Sequence, residues 1–147
     1  MKIEFPEDLV LGVDEIDEHH RRIFQVTDQM LEAMKTGEGE KRLFSLLAYL
    51  NQYVRDHFAL EENYMIRFRY DQYRPHLAQH QQFTKKFLDL QQHFKRGGPT
   101  LNLVHQVARF LDQWLKDHIL STDLPMVAFL KPKLDQVRAT GEKLGGK

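Results

Sequence analysis

With 147 residues, 41% of them hydrophobic, the chain is long enough for one domain with a single packed core. Its 21 basic and 21 acidic residues balance and form no basic block, which argues against nucleic-acid binding. It has no cysteine and no apolar run near the ~20 residues of a membrane span, so we expect no disulfide, no thiolate metal site and no membrane insertion, and a cytoplasmic protein.

The first 13 residues show no hydrophobic period and contain Pro6 and Gly12. A segment without a period, broken by such residues, is typical of extended backbone. We therefore expect an N-terminal arm that packs against the body through three apolar side chains, Val10, Leu11 and Val13.

The first predicted helix runs from about Glu15 to Lys35, because apolar residues recur there at intervals of three and four. Asp14 is a suitable N-cap, and Asp17 follows three residues later, close to a capping box. His20 lies among the apolar positions of this helix. His19 is about 100° away around the helix axis, and we expect it to be more exposed.

The second predicted helix runs from about Glu40 to Phe68, after a break at residues 36–39. Its apolar stripe includes two polar residues, His57 and Glu61, which lie one turn apart on the same face. Buried ionisable groups are costly unless they are paired or bound to a metal, so this pair indicates a functional role. Glu62 is about 140° off that face, and we assign it to solvent or to an indirect contact.

The third predicted helix runs from about Pro75 to Lys95. His76 and His80 lie one turn apart on its apolar face, a spacing that suits two ligands of one metal. A single His-x-x-x-His pair is most often a surface coincidence, so its meaning depends on partners from the other helices.

The fourth predicted helix starts near Thr100 and carries His118 on its apolar stripe. Asp123 follows five residues later, about 140° out of phase on a regular α-helix. Both side chains reach one site only if the backbone between them leaves α geometry, by a π-type widening or a broken turn. Because proline disrupts helix interiors, we also expect Pro125 and Pro132 to disturb the helix beyond Asp123.

Four amphipathic helices with short connections predict an all-α fold, an up-down-up-down four-helix bundle with an extended N-terminal arm. No repeat or linker divides the chain. We therefore expect a single domain over residues 1–147, with the arm at 1–13, the bundle at about 14–130 and a C-terminal tail at about 131–147.

Seven polar residues lie on the predicted core faces: His20, His57, Glu61, His76, His80, His118 and Asp123. The alternative is a bundle whose polar residues merely satisfy one another, but it has to explain seven of them on converging faces. Five imidazoles, two bridging carboxylates and one oxo or hydroxo bridge fill eleven of the twelve positions of two octahedral ions. The nitrogen-rich set suits iron better than magnesium or calcium, although zinc and manganese stay open on ligand type alone.

Four segments of the chain resemble the hemerythrin family, in particular the single-domain bacterial hemerythrins. They are Ile16–His20, His57–Glu62 with Met65, His76–His80, and Trp114–Asp123. The resemblance covers about residues 5–125. It implies a four-helix bundle with a non-haem centre of two iron ions, joined by an oxo or hydroxo bridge, that binds dioxygen reversibly.

The resemblance also implies roles for the seven residues. One iron would be held by His76, His80 and His118. The other would be held by His20 and His57 and would keep the open position for dioxygen. Glu61 and Asp123 would bridge the two ions.

Side chains around the oxygen pocket are expected to be Phe24, Phe58, Trp114 and Ile119. The chain departs from the family pattern at His19, where the family usually has glutamine, and at Phe5, which replaces a common tryptophan. Arg69 and Asp71 replace the usual glycine and proline of the loop before the third helix.

Reversible dioxygen binding, for storage, transport or sensing, is therefore the leading hypothesis, and dioxygen the expected partner. The main alternative is a di-iron enzyme: an oxidase, a peroxidase or a nitric-oxide-handling protein. Di-iron oxygenases tend to use carboxylate-rich sites with Glu-x-x-His motifs, whereas this set has five imidazoles and no spare acid. A regulatory domain acting on a partner chain is a third class. We expect a monomeric oxygen-binding protein, not a catalyst, with an oxygen-consuming enzyme as its candidate protein partner.

Overall fold

A computed structural model describes residues 3–37, 40–98 and 100–141, and most of these residues are helical. The helices are α1 (Asp14–Lys35), α2 (Glu40–Arg67), α3 (Tyr73–Gly97), α4 (Leu101–His118) and α5 (Leu124–Thr140). A π-helical segment, Ile119–Asp123, joins α4 to α5 without a break, and a 3-10 turn, Glu7–Leu9, lies in the N-terminal arm. None of the helices so described is both long and apolar enough to cross a membrane.

The helices pack as a ring in chain order, because α1 contacts α2 and α4, and α3 contacts the same two helices. Short connections between consecutive helices make neighbours antiparallel. The predicted up-down-up-down four-helix bundle is therefore confirmed. Its stability comes from apolar faces turned inward, including the fully buried side chains of Leu50, Phe87 and Leu111.

The buried apolar residues form two clusters that lie at different levels of the bundle. On α1, Ile16 belongs to one cluster and Ile23 to the other. On α2, Val54 and Met65 are divided in the same way. The buried ionisable residues of both helices fall between these positions in the sequence: Asp17 and His20 on α1, and His57 and Glu61 on α2. The polar site therefore separates the two apolar clusters.

The start of α1 differs from the prediction. Val13, not Asp14, occupies the N-cap position and has no side-chain capping bond, while Asp14 is already helical. The carboxylate of Asp17 accepts hydrogen bonds from the N–H groups of Leu11, at 2.8 Å, and Gly12, at 3.0 Å. Asp17 therefore fastens the arm to the helix instead of completing a capping box.

The arm lies against the bundle through side chains that partly match the predicted set, because Leu11 packs against both apolar clusters as expected. Val13 is buried, as expected, but Val10 is 39% exposed, so its predicted packing is wrong. Leu9 is 2% exposed, and the N–H group of Ile3 donates to Asp28 Oδ1 at 2.9 Å. The 3-10 turn explains why Leu9 is buried in place of Val10, because it directs the side chain of Leu9 toward the bundle, whereas an extended arm would direct that of Val10 there.

The predicted disturbance of the helix at Pro132 is wrong, because α5 continues through this residue to Thr140. A proline inside a helix costs about 3 kcal/mol. Leu130 and Leu134 are fully buried on either side of it, and each contributes about 1.5–3 kcal/mol by burial. Pro125 lies in the first turn of α5, where a missing N–H costs little. Residues 131–140, predicted as tail, are thus helical, and 142–147 lie outside the described residues.

Candidate metal centre

The structure brings all seven predicted ligands together inside the bundle. Each is at most 3% exposed, although each is polar or charged. α1 contributes one of them, α2 and α3 two each, and α4 and the π-helical segment one each; in chain order they are His20, His57, Glu61, His76, His80, His118 and Asp123.

Glu61 directs its two carboxylate oxygens toward different histidines. Its Oε2 lies 2.9 Å from His57 Nε2 and 3.8 Å from His20 Nε2. Its Oε1 lies 3.2 Å from His76 Nε2 and 3.1 Å from His80 Nε2. The carboxylate therefore lies between two sets of imidazoles and offers one oxygen to each.

Asp123 divides the histidines in the same way. Its Oδ2 lies 3.1 Å from His20 Nε2, while its Oδ1 lies 3.1 Å from both His76 Nε2 and His118 Nε2. Two overlapping groups of potential ligands result, each with its ligand atoms within 4.8 Å of one another. We call His76, His80 and His118 the three-histidine group, and His20 and His57 the two-histidine group; Glu61 and Asp123 are shared.

The π-helical segment allows Asp123 to join this cluster. The N–H group of Leu124 donates to the carbonyl of Ile119, five residues back. The wider turn offsets the phase difference between His118 and Asp123 that a regular α-helix would impose. The predicted departure from α geometry between these two residues is therefore confirmed.

The two hydroxyl groups of the π-helical segment do not donate to carbonyl groups within that segment. Ser121 Oγ donates to the carbonyl of Asp117 at 2.7 Å, and Thr122 Oγ1 donates to Gln79 Oε1 at 2.9 Å. The second bond connects the π-helical segment to α3.

Three of the histidines also bind a polar side chain on the side away from the cluster. His80 Nδ1 donates to Glu62 Oε2 at 2.8 Å, and His118 Nδ1 donates to Gln79 Oε1 at 2.7 Å. His57 Nδ1 lies 3.1 Å from the Nδ1 of His19.

Of these partners, Gln79 was not predicted from the sequence. Its position three residues after His76 places it beside the ligand-bearing face of the third helix, and this spacing is the signal that the sequence offers. His19 is half-buried and therefore more exposed than His20, as predicted, and its ring contacts that of His57. Glu62 accepts the hydrogen bond of His80, which is the indirect contact that we gave as one of two predictions for it.

The residues fit a metal centre on a test that the structure itself provides. Among the described residues, several buried ligand atoms lack a hydrogen-bond partner: Nε2 of His20, His57 and His118, Oε2 of Glu61 and both oxygens of Asp123. Buried polar atoms without partners cost about 1–3 kcal/mol each. Five imidazoles and two carboxylates suit a first-row transition metal, which would satisfy these atoms.

The comparison with known proteins agrees with this geometry. The model of the hemerythrin HHE cation binding domain matches residues 11–130. The chain belongs to the hemerythrin family. This is a family that binds iron.

Similar proteins include the bacteriohemerythrin of Clostridium acetobutylicum, 26% identical over 77% of this chain and 89% of the relative. The bacteriohemerythrin of Methylococcus capsulatus is 30% identical over 73% of this chain and 79% of the relative. The crystal structure of a hemerythrin mutant matches with a TM-score of 0.77 at 26% identity, covering 88% of this chain and 98% of that one.

In this hemerythrin-family chain, protons and metal ions compete for the same nitrogens. Burial alone would lower the pKa of His20, but the nearby carboxylates of Asp123, at 3.1 Å, and Glu61, at 3.8 Å, outweigh it and raise the pKa to about 9. Burial is likewise outweighed at His118, where Asp123 and Glu61 raise the pKa to about 9. At His57 burial prevails and lowers the pKa.

The carboxyl groups shift in the opposite direction. Burial opposes ionisation of Glu61 and Asp123, but the surrounding imidazoles hold the pKa of both well below the usual range. The centre therefore presents two carboxylates, and metal binding has to displace protons from His20 and His118.

Two of the four side chains expected around the oxygen pocket lie against the three-histidine group. Phe58 stacks on His80, with ring centroids 3.8 Å apart and planes 6° apart. Trp114 stacks on His118, with ring centroids 4.4 Å apart and an angle of 15° between the planes. The other two, Phe24 and Ile119, are buried. Near the two-histidine group, the Phe5 ring lies 6.5 Å from that of His20 and 5.5 Å from that of Phe24.

Proposed function

We propose that this protein binds dioxygen reversibly at a non-haem di-iron centre, and that it stores, delivers or senses oxygen rather than converting a substrate. The seven clustered residues would hold two iron ions, joined by the two carboxylates and by an oxo or hydroxo bridge. When bound, the iron pair supplies the redox-active position at which dioxygen is taken up. Membership of a family of oxygen-binding proteins supports this assignment.

The partition of the carboxylate oxygens carries the proposal. Glu61 and Asp123 each turn one oxygen to the three-histidine group and the other to the two-histidine group. This is the arrangement that two bridging carboxylates need. A single ion would leave one oxygen of each carboxylate without a ligand role.

The unequal number of histidines supports a small-molecule site. Three imidazoles, two carboxylate oxygens and a bridging oxygen would fill six positions around one ion. Two imidazoles with the same shared ligands would leave one position open. We assign the open position to the ion held by His20 and His57.

The environment of the two-histidine group favours binding over catalysis. Among the described residues, Glu62 is the one further carboxylate in contact with a histidine of the centre, besides Glu61 and Asp123. It contacts His80. Cleavage of bound dioxygen needs a proton donor within hydrogen-bond reach. The acid closest to that role is on the three-histidine side, so the proposed oxygen position has aromatic and imidazole neighbours instead.

Iron content and the optical spectrum test the proposal together. Protein from iron-replete cells should contain two irons per chain. After anaerobic reduction it should be nearly colourless, gain a charge-transfer band in air and lose that band under vacuum. Zinc-loaded protein is the control and should show no band.

Two results would contradict the proposal. Preferential binding of two zinc ions with rejection of iron would exclude a di-iron centre. Rapid irreversible oxidation with release of hydrogen peroxide, or fast turnover of an added substrate, would favour the di-iron enzyme.

We further infer a monomer that works in the cytoplasm and supplies oxygen to an oxygen-consuming enzyme. Scattered apolar side chains on a protein surface do not make an interface. Within the described part of the chain, the exposed large hydrophobic residues come from six elements, and only α2 contributes two of them: Val10, Tyr49, Ile66, Leu88, Leu101, Leu120 and Leu124. Light scattering after size exclusion should give the mass of one chain, and cell fractionation tests the compartment.

A further inference from the structure

The contact between His19 and His57 differs in kind from the other contacts around the centre. His57 Nε2 faces Glu61 Oε2 at 2.9 Å, so this nitrogen points into the cluster. The opposite ring nitrogen, Nδ1, lies 3.1 Å from His19 Nδ1. The ring centroids are 5.2 Å apart and the planes meet at 70°.

A hydrogen bond between two ring nitrogens contains one proton, which belongs to one ring or to the other. If His57 Nδ1 holds the proton, the neutral His57 ring has a free lone pair on Nε2 and can bind a metal. If His19 Nδ1 holds it, the neutral His57 ring has its proton on Nε2. That proton would point at Glu61 and block metal binding.

The partners of the other two histidines leave no such choice. Glu62 offers His80 a carboxylate oxygen, and Gln79 offers His118 an amide oxygen. Both atoms are acceptors only, so Nδ1 of each histidine must donate, and in the neutral ring Nε2 is then free for a metal. His19 is the partner whose own tautomer decides that of its neighbour.

The surroundings of His19 hold its ring in place for this contact. The ring of Tyr53 packs edge-on against it, with centroids 5.4 Å apart and planes at 67°. His19 is half-buried on α1, whereas Tyr53 and His57 lie one turn apart on α2. His19 thus lies between two rings of the neighbouring helix.

We propose that His19 is a positioning residue, which accepts the Nδ1 proton of His57 and thereby keeps His57 Nε2 free for the metal of the two-histidine group. His19 touches neither the metal nor dioxygen and acts through His57. The inference rests on the proposed metal centre and adds a residue to it. Such partners of metal-binding histidines typically change metal affinity by about 10- to 100-fold.

Nitrogen-15 NMR on the zinc-loaded protein tests the hydrogen bond directly, because zinc is diamagnetic. We expect a proton on His57 Nδ1, no proton on His19 Nδ1, and a scalar coupling between the two nitrogens across the hydrogen bond. A purely structural role of His19 would produce no such coupling. A proton found on His19 Nδ1 would overturn the proposal.

Zinc affinity, measured by competition with a chelator, tests the consequence. His19→Ala should still bind two zinc ions, but one of them about 10- to 100-fold more weakly. His19→Gln, whose amide oxygen can accept the same proton, should restore most of the affinity. His93→Ala is the control, since His93 is a 58% exposed histidine on α3, and it should bind as the unmodified protein does.

The two proposals fail differently. If the unmodified protein binds no zinc through His57, judged by the chemical shift of its Nε2, the metal centre itself is wrong. If both ions bind but His19→Ala binds them as tightly as the unmodified protein, only the role of His19 is wrong. Circular dichroism of each variant shows whether it folds. If His19→Ala does not fold, the nitrogen–nitrogen coupling measured in the unmodified protein still tests the role of His19.

Discussion

His80 and His118, in the three-histidine group, are each held on two sides. His80 donates to Glu62 and stacks on Phe58, and His118 donates to Gln79 and stacks on Trp114. In the two-histidine group, His57 has a histidine as its polar partner. Among the described residues, neither His20 Nδ1 nor His76 Nδ1 of the three-histidine group has a polar partner, so the contrast rests on His80 and His118 against His57.

This difference indicates that the two groups of histidines have different roles within one centre. Acceptor-only partners and stacked rings determine both the tautomer and the orientation of an imidazole, which favours a closed and permanent site. A side with fewer such contacts adjusts more easily when a ligand enters or leaves. The proposed oxygen position lies on that less constrained side.

The largest expected effect comes from removing what the two sides share. Glu61→Ala takes one carboxylate oxygen from each group at once, so iron content should fall from two per chain toward none. Metal analysis of the purified protein measures this. Asp56→Ala is the matched control, because this exposed acid on the same helix accepts from Gln52 rather than from a candidate ligand, and both ions should remain. If Glu61→Ala kept one tightly bound ion, the two sides would be independent sites rather than one centre.

The pH response should be the next largest effect and should affect both sides. His20 and His118, one in each group, have their pKa raised from 6.5 to about 9. Metal binding displaces these protons, so affinity should rise with pH up to about 9, by up to about tenfold per unit for each proton displaced. Titration of the metal-free protein with zinc at several pH values checks this.

The metal-free protein should change in the opposite direction. A histidine whose pKa is raised on folding stabilises the fold fully below 6.5 and loses that contribution as pH rises through about 9. The melting temperature of the metal-free protein should therefore fall between pH 6.5 and 9, while the zinc-loaded protein retains its stability. A metal-free protein that became more stable over this range would contradict the assigned ion pairs.

A third prediction concerns the contacts that hold the three-histidine side. Gln79→Leu removes the acceptor of both His118 Nδ1 and Thr122 Oγ1. We expect one ion to bind about 10- to 100-fold more weakly and the other to be nearly unaffected. Competition with a chelator measures both steps. Gln82→Leu, at an exposed position on the same helix, is the control. Equal weakening of both ions would remove the distinction between the two sides.

Much of the centre could be predicted from spacing within single helices. His57 with Glu61, and His76 with His80, are four residues apart, so helix geometry alone puts each pair on one face. The π-helical segment was also predictable, because His118 and the residue five positions later cannot share a face of an α-helix.

The rest depends on contacts between helices, which the period of one helix does not contain. The hydrogen bonds of Gln79 to His118 and of His19 to His57 depend on how neighbouring helices are rotated about their axes. The continuity of α5 through Pro132 depends on burial against α2 and the start of α1. Local propensity predicted a disturbance there, and tertiary packing outweighed it.

The smallest expected effect comes from Thr122, where the π-helical segment meets α3. Thr122→Val removes the hydroxyl that donates to Gln79 but retains a β-branched side chain. One lost hydrogen bond of this kind lowers the free energy of unfolding by about 0.5–1.5 kcal/mol. Both ions should remain, because Gln79 Oε1 still accepts from His118 Nδ1. Urea unfolding and metal analysis of the same preparation measure the two quantities.

Ser121→Ala is the matched control for this variant. Its hydroxyl is exposed and donates to a carbonyl of its own helix, that of Asp117, so the change should stay within about 0.5 kcal/mol. Loss of an ion from Thr122→Val as severe as that from Gln79→Leu would change the interpretation. The bond between Thr122 and Gln79 would then be what holds the π-helical segment in place, and Asp123 would depend on α3 as much as His118 does.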